Sequence, residues 1–195
     1  MKALSRLLLC FAFFLIAAAT AKPGDIYKIN PAQSSITFSI HQFLGVTHGK
    51  FSQFSGTIEI DRARPEQSSV EAVIAVKSID TGIAKRDEHL RSKDLFDAEN
   101  YPQITFKSRS VKQTGPQTGD ILGDLTIHGA TRPITLHVKL LSPSTPGADI
   151  SSTRWVVVPD PIKRSNFGLL FSKGAEAISG IGQEVTVQIN VEATR

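Results

Sequence analysis

Cysteine is almost missing. Cys10 is the only one in 195 residues, and it sits inside an N-terminal apolar run. The rest of the chain has no thiol nucleophile, no disulfide and no thiolate metal site, and its folding is indifferent to redox conditions. Trp and Tyr are scarce, with one and two copies against eleven Phe, so the aromatic surface is nearly pure hydrocarbon. No charge sign dominates: 22 Lys and Arg face 18 Asp and Glu, and without Lys2 and Arg6 of the N-terminal segment the balance is 20 to 18. A chain so near neutrality has no basic stripe to neutralise phosphates, which excludes a dedicated nucleic-acid binder. Apolar runs long enough to cross a membrane as a helix are also lacking. The one unbroken run, Leu7 to Ala19, has 13 residues, and a spanning helix needs roughly 20.

That run has another reading. Lys2 and Arg6 precede it, and Ala19-Thr20-Ala21 follows as a small-x-small site. Residues 1–21 are therefore expected to be a secretory signal peptide, cleaved after Ala21, which sends the protein to the periplasm or out of the cell. Cys10 lies within the apolar region rather than at its end, where a lipid-anchored cysteine would stand. Residues 22–195 suffice for one domain with a sizeable core.

What fills that domain is period-2 alternation. Apolar residues recur at Ile36/Phe38/Ile40, Ile58/Ile60, Val70/Ala72/Ile74/Val76, Ile104/Phe106, Ile121/Leu125/Ile127, Ile134/Leu136/Val138/Leu140, Val156/Val158 and Val185/Val187/Ile189/Val191. Ser, Thr, Lys, Glu, Gln and His fill most positions between them, so each strand has one dry and one wet face. Turn residues separate the runs: Gly45 and Gly49, Asp61 to Gln67, Gly115-Pro116 with Gly119-Asp120, and Gly129 to Pro133. Residues 142–153 read as a long exposed loop. Eight or nine such strands can form a closed antiparallel barrel or a sandwich. A barrel of about eight strands keeps room for one small ligand, whereas a sandwich fills its core with side chains. The alternation pattern fits both, and the phenylalanines suit either a packed core or a dry pocket.

Chemistry-bearing motifs are few. There is no G-x-S-x-G elbow, and "GVTHGK" (45–50) is too short between its glycines for a phosphate loop and is followed by Phe51. None of the five histidines, His41, His48, His89, His128 and His137, pairs at i, i+2 or i, i+4, and no H-E-x-x-H is present, so no metal site is expected. Glu59, Glu71 and Asp124 lie on wet faces, where carboxylates are ordinary. No catalytic residue and no cofactor is expected.

The outlier is "KRDEHLRSKDLF" (85–96), a charged segment without alternation. It reads as a short helix or structured loop near residues 83–96. Either it is a solvated connector whose Leu90, Leu95 and Phe96 stopper the strand assembly, or Arg86, His89 or Arg91 meets the polar head of a ligand.

Five stretches in order carry a resemblance: "NPAQSSITFSI" (30–40), "GKFSQFSGTIEID" (49–61), "SIDTGIAKRDEHLRSKDLFDAENYPQITFKS" (78–108), "GDLTIHGATRPITL" (123–136) and "KRSNFGL" (163–169). The chain resembles the YceI-like polyisoprenoid-binding family of exported, lipocalin-like proteins. The resemblance implies an all-β, antiparallel lipocalin-like barrel of about eight strands, with a short helical insertion near residues 83–96, a long apolar tunnel and no catalytic apparatus. The implied ligand is an isoprenoid lipid, such as a quinone or a polyprenyl phosphate. Phe38, Ile40, Phe51, Phe54, Ile58, Ile74, Phe106, Leu125, Phe167 and Phe171 are the candidates for the cavity wall, and Arg86, His89 and Arg91 for the head group. The chain departs from the family at Asn30 and Gln33, where Asp and His are more common, and at Pro159 and Pro161, each of which removes a ladder donor and implies an edge, a bulge or a rim loop. The expected partner is an amphiphilic isoprenoid lipid and no nucleic acid, with transient membrane contact and dimerisation left open. A lipid- or glycan-directed hydrolase using the same cavity and a non-binding envelope scaffold are the alternatives.

Overall fold

The computed structural model describes residues 24–141, 151–172, 174 and 180–195. The expected signal peptide (1–21) and most of the expected 142–153 loop lie outside the described residues. Ser152 and Thr153 are strand rather than loop, and Thr153 is buried.

The alternating stretches form strands β1 (Asp25–Ile29), β2 (Ser35–Gln42), β3 (Gly45–Phe51), β4 (Phe54–Ile60), β5 (Ser69–Ala75), β6 (Ile79–Asp80), β7 (Gln103–Gln113), β8 (Thr118–Ile127), β9 (Ala130–Leu140), β10 (Ser152–Pro159), β11 (Ile162–Lys163) and β12 (Glu184–Thr194). One helix, α1 (Ala84–Arg91), stands between β6 and β7. Every pairing is antiparallel, and β1, β4, β5, β7, β8, β9, β10 and β12 follow one another around a ring that the β1–β12 pairing closes. The result is a closed eight-stranded barrel, and the sandwich is excluded. The first three staves are bent. β1 continues into β2, β3 into β4, and β5 into β6, so β12 pairs with β1 at its C-terminal end and with β2 along its N-terminal half.

Because each stave pairs with the next in sequence, its connections alternate between two ends. The helical end carries the β2–β3 turn, residues 81–102 with α1, the β8–β9 turn and the connection after β11. The turn end carries the β4–β5 and β7–β8 connections. At the β8–β9 turn, Ile127 pairs with Ala130 and only His128 and Gly129 intervene. Both have positive φ, 49° and 72°, as the type I′ turn of a two-residue hairpin requires. The expected turn at Gly129 to Pro133 is thus shorter, and Thr131 to Pro133 already belong to β9.

Period-2 patterning places the dry faces inside, with one exception in phase. In β10 it is Trp155, Val157 and Pro159 that face the interior, while Val158 is 41% exposed. Val156 and Val158, expected on the dry face, are therefore on the outer one. "WVVVP" has no polar residue to mark the phase, and a one-residue slip exchanges the faces. Pro159 ends β10, and the chain breaks at Asp160-Pro161 before resuming pairing in β11, consistent with the lost ladder donors. At the other departure, the Asn30 side chain donates to Gln33 Oε1 (2.8 Å) and accepts from Ala32 N–H (3.1 Å), so Asn30 braces the turn before β2.

Candidate functional site

The barrel encloses a cavity of about 490 Å3 whose wall is almost wholly apolar. That size falls within the range of sites that hold a small organic ligand. Its lining runs from Pro65, Gly115 and Thr118 at the turn end to Thr47, Thr81 and Leu90 at the helical end. Two buried apolar clusters flank it. One, with Val76, Ala98, Ile127, Phe167 and Leu169, lies toward the helical end. The other, with Tyr27, Val157, Val191 and Ala193, lies toward the turn end.

Glycines help to make the space. A Cβ on Gly49 would lie 2.3 Å from the Phe38 ring, and one on Gly123 would lie 2.4 Å from Phe106. Phe38 is the cross-strand partner of Gly49. Each ring therefore occupies the place where its neighbour's side chain would stand, which widens the space beyond it. Phe38 and Phe51 pack together, with ring centroids 5.6 Å apart.

The structure places Phe38, Ile40, Phe51, Phe54, Ile58, Ile74, Phe106, Leu125 and Phe171 on the cavity wall. Phe167 is a correction. It closes a 3-10 turn at Arg164–Phe167 and is buried against Ala98, Ile104 and Ile127, behind the wall.

Of the three head-group candidates, Arg86 and His89 line the cavity and Arg91 does not. The physical reason is helical phase: at about 100° per residue, Arg91 is roughly 140° around α1 from Arg86, whereas His89 and Leu90 return to its face. Arg91 instead faces a shallow outer groove with Lys77, Glu88 and Glu99, and donates to Ile79 O at 3.3 Å.

Arg86 is half-buried. Its Nε donates to Thr81 Oγ1 (2.7 Å), Nη2 to Thr81 O (2.8 Å) and Nη1, at the limit of a hydrogen bond, to Thr47 Oγ1 (3.5 Å). Asp87 beside it is 7% exposed, and it accepts from both the N–H and the hydroxyl of Thr81. Residues 81–87 are thus a closed polar knot that fixes α1 over the barrel mouth.

The residue-by-residue reading missed Arg164. It is 3% exposed, lies on the cavity wall, and donates to Gly182 O (2.9 Å), Leu169 O (2.8 Å) and Ile181 O (3.4 Å). The Phe171 ring covers its guanidinium at 5.1 Å, a cation–π contact, and the same ring lies 6.3 Å from His89. Arg164 ties Leu169 to Ile181 and Gly182, just before β12. The available signal was its place in "KRSNFGL", although residue type alone does not separate a buried strut from a solvated cation.

The other sequence candidates lie outside the cavity. Glu71 pairs with Lys107 (2.7 Å) and Asp124 with Arg109 (2.6 Å), both on the outer face. His128 hydrogen-bonds Phe167 O (3.3 Å) and meets Tyr101 edge-on at 4.6 Å. His137 lies between two carboxylates, Asp120 at 2.8 Å and Asp160 at 3.1 Å. These hydrogen bonds, to Asp120 first and then Asp160, raise its pKa above the ordinary histidine value. Among the described residues no three His, Cys, Asp or Glu side chains cluster as metal ligands, and no helix is long and apolar enough to cross a membrane.

Residues 27–193 match the YceI-like domain. The chain belongs to the YceI-like family. It is 42% identical over 137 residues to Protein YceI of Escherichia coli O157:H7, covering 68% of this chain and 70% of that one. Among solved structures, BcnA of Burkholderia cenocepacia superposes with a TM-score of 0.75 at 29% identity, over 85% of this chain and 99% of that one. A polyisoprenoid binding domain from Saccharophagus degradans, implicated in plant cell wall breakdown, shares the fold with a TM-score of 0.61 at 21% identity, over 86% of this chain and 97% of that one.

Proposed function

We propose that this YceI-like protein is a lipid-binding protein that holds the tail of an isoprenoid lipid in its barrel, for transport, storage or sequestration in an exported compartment. The carrying observation is the enclosed apolar cavity of about 490 Å3. Water gains little there, while a branched hydrocarbon chain is largely withdrawn from solvent. At about 25 cal/mol per Å2, each isoprene unit buried contributes on the order of 2 kcal/mol before ordering costs. Family membership and the shared fold of the Saccharophagus domain support this reading.

The cavity reaches the helical end, where the β2–β3 hairpin exposes Phe43 (72%) and Leu44 (fully), and Ile83 and Leu170 are also exposed. Transient membrane contact at this end would let a tail move from bilayer to barrel without crossing water. The expected signal peptide at residues 1–21 is the ground for proposing a periplasmic or secreted location. No enzymatic step is proposed.

The test is extraction. Protein purified from its own host without detergent is extracted with organic solvent and the extract identified by mass spectrometry. The expected result is a prenyl-chain lipid at close to one per protein; an extract without stoichiometric lipid, or with only unbranched acyl chains, overturns the proposal.

A further inference from the structure

We infer that the cavity is a through-passage whose turn end is a second, uncharged opening, from which the far end of a prenyl chain longer than the barrel emerges. The inference rests on the tail-binding reading and adds to it the range of chain lengths the barrel accepts.

The cavity reaches both ends of the barrel, and at each it is bordered by side chains that also meet solvent. At the helical end this is His89; at the turn end it is Gln113, Pro116, Gln117 and Thr118, all of them exposed. A blind pocket would end on buried residues instead. The four belong to the β7–β8 hairpin, and Pro65 and Ser68 of the β4–β5 connection border the same end. Little bulk projects between them. Gln113 follows Val111 on the inner side of β7, and its ladder partner on β8 is Gly119, which has no side chain to fill the space.

The chemistry of this rim suits hydrocarbon passing through it. Among the described residues, no charged side chain lines the cavity at the turn end. Arg64, next to Pro65, is taken up by Asp61 Oδ2 through Nε (3.2 Å) and Nη2 (2.9 Å). The polar rim groups bond one another. Gln113 Nε2 donates to Gly115 O (3.0 Å), Thr114 Oγ1 to Thr118 Oγ1 (3.0 Å), and Ser68 Oγ accepts from the Asp61 N–H (3.1 Å). Groups already partnered ask for no polar atom from the ligand, so an apolar chain passes them without stranding a donor.

Length decides what this opening does. β7 has 11 residues and β8 has 10; at about 3.3 Å per residue and a tilt of about 40°, the barrel is roughly 25–28 Å long. A farnesyl chain lies within that length, whereas an extended solanesyl chain exceeds it. Units inside are withdrawn from water and units past the rim gain nothing. Affinity therefore rises with chain length until the passage is full and then levels. A blind pocket would make it fall, because the surplus would have to buckle against packed side chains.

The test asks where a long tail leaves the barrel. Cys10 is the one cysteine of the chain, so in full-length protein with Cys10→Ser, the substitution Gln113→Cys puts a unique thiol on the turn-end rim. This protein is loaded from phosphatidylcholine vesicles carrying farnesol or solanesol, separated from them, assayed for bound prenol by solvent extraction, and labelled with a maleimide. Both prenols are expected to load. Farnesol-loaded protein is expected to label as fast as empty protein, and solanesol-loaded protein to lose the labelling. In a companion variant, Gln113→Trp sets an indole across the rim and should shift the ratio of loaded prenols away from solanesol. Farnesol loading without solanesol loading in the parental protein means a blind end and overturns the inference. So does a thiol that labels equally fast with either prenol bound, a thiol protected equally by both, or an unshifted ratio in Gln113→Trp. The tail-binding reading survives each of these results. If neither prenol loads, that reading fails and the inference falls with it.

Discussion

The two ends of the barrel are made differently. At the turn end, polar side chains pair on the outside: Asp25 with Arg62 (3.2 Å) and with Arg195 (2.8 Å), and Asp61 with Arg64 (2.9 Å). Exposed pairs of this kind contribute about 0–1 kcal/mol each, and none of these residues lines the cavity. At the helical end two cations turn inward, while Arg91 and its neighbours face out. Arg86 and Arg164 sit on the cavity wall, hydrogen-bonded to backbone and threonine oxygens. Cations at the turn end trim a surface, whereas those at the helical end organise long connections around an opening. Features that could choose between ligands are therefore concentrated where the chain departs from simple hairpins.

The comparison can be broken at several points. The largest expected effect is in the middle of the wall: Phe38→Asp or Phe106→Asp places a carboxylate in the apolar cavity and should abolish lipid retention, measured by mass spectrometry of a solvent extract. Retention at the parental level would detach the phenylalanines from binding. Next is the helical end itself. Arg164→Met removes the donors to three carbonyls and should cost about 3 kcal/mol, at roughly 1 kcal/mol for each buried acceptor left without its partner, read as a lower midpoint in urea. An unchanged midpoint would reduce Arg164 to the standing of the turn-end cations.

A subtler change sharpens the picture of the wall. Gly49→Ala puts a methyl group where Phe38 now lies, so the ring must swing inward. Overpacking of this kind costs about 1–3 kcal/mol, and competition between prenols of different length should shift toward shorter tails. An unshifted preference would mean that this part of the wall does not set capacity. The smallest effect belongs to the outer face. The pKa of His137 is raised by Asp120 and Asp160, so its contribution to stability is fully present below the unfolded value, about 6.5, and is lost as pH rises through the higher folded value. Melting temperatures on either side of neutrality should fall slightly with rising pH in the wild type and stay flat in His137→Asn; parallel curves would show that the pairing carries no stability.

Much of the fold could be read from the sequence, because a half-buried strand writes its two faces into alternate residues. β9, with Ile134, Leu136 and Val138 facing in, is the clearest instance. Where the alternation is silent the reading slipped: the apolar "WVVVP" gave no phase, and the wrong pair of valines was placed inside. Closure of the ring lay beyond the pattern too, since the β1–β12 contact joins the two ends of the sheet; the family resemblance supplied it. The site was readable by residue class and not by direction. Arg86 and Arg91 are equivalent as letters and differ only in helical phase. Phe167 ends a short turn and packs into the core, whereas Phe171, further along the chain, reaches the cavity wall, and the letters do not tell them apart. Arg164 could not be singled out because its partners are carbonyl oxygens, which carry no mark in a sequence.

The order of the staves also bears on synthesis. All but the closing contacts join neighbours in the chain, so hairpins can form one after another as the polypeptide emerges. The β12 seam must wait for the final strand and bridge almost the whole chain, a slow and entropically costly step. Until that seam shuts, the apolar faces of the earlier staves stay open to solvent. A hydrophobic molecule or chaperone present before closure would therefore meet a curved open trough rather than a finished barrel.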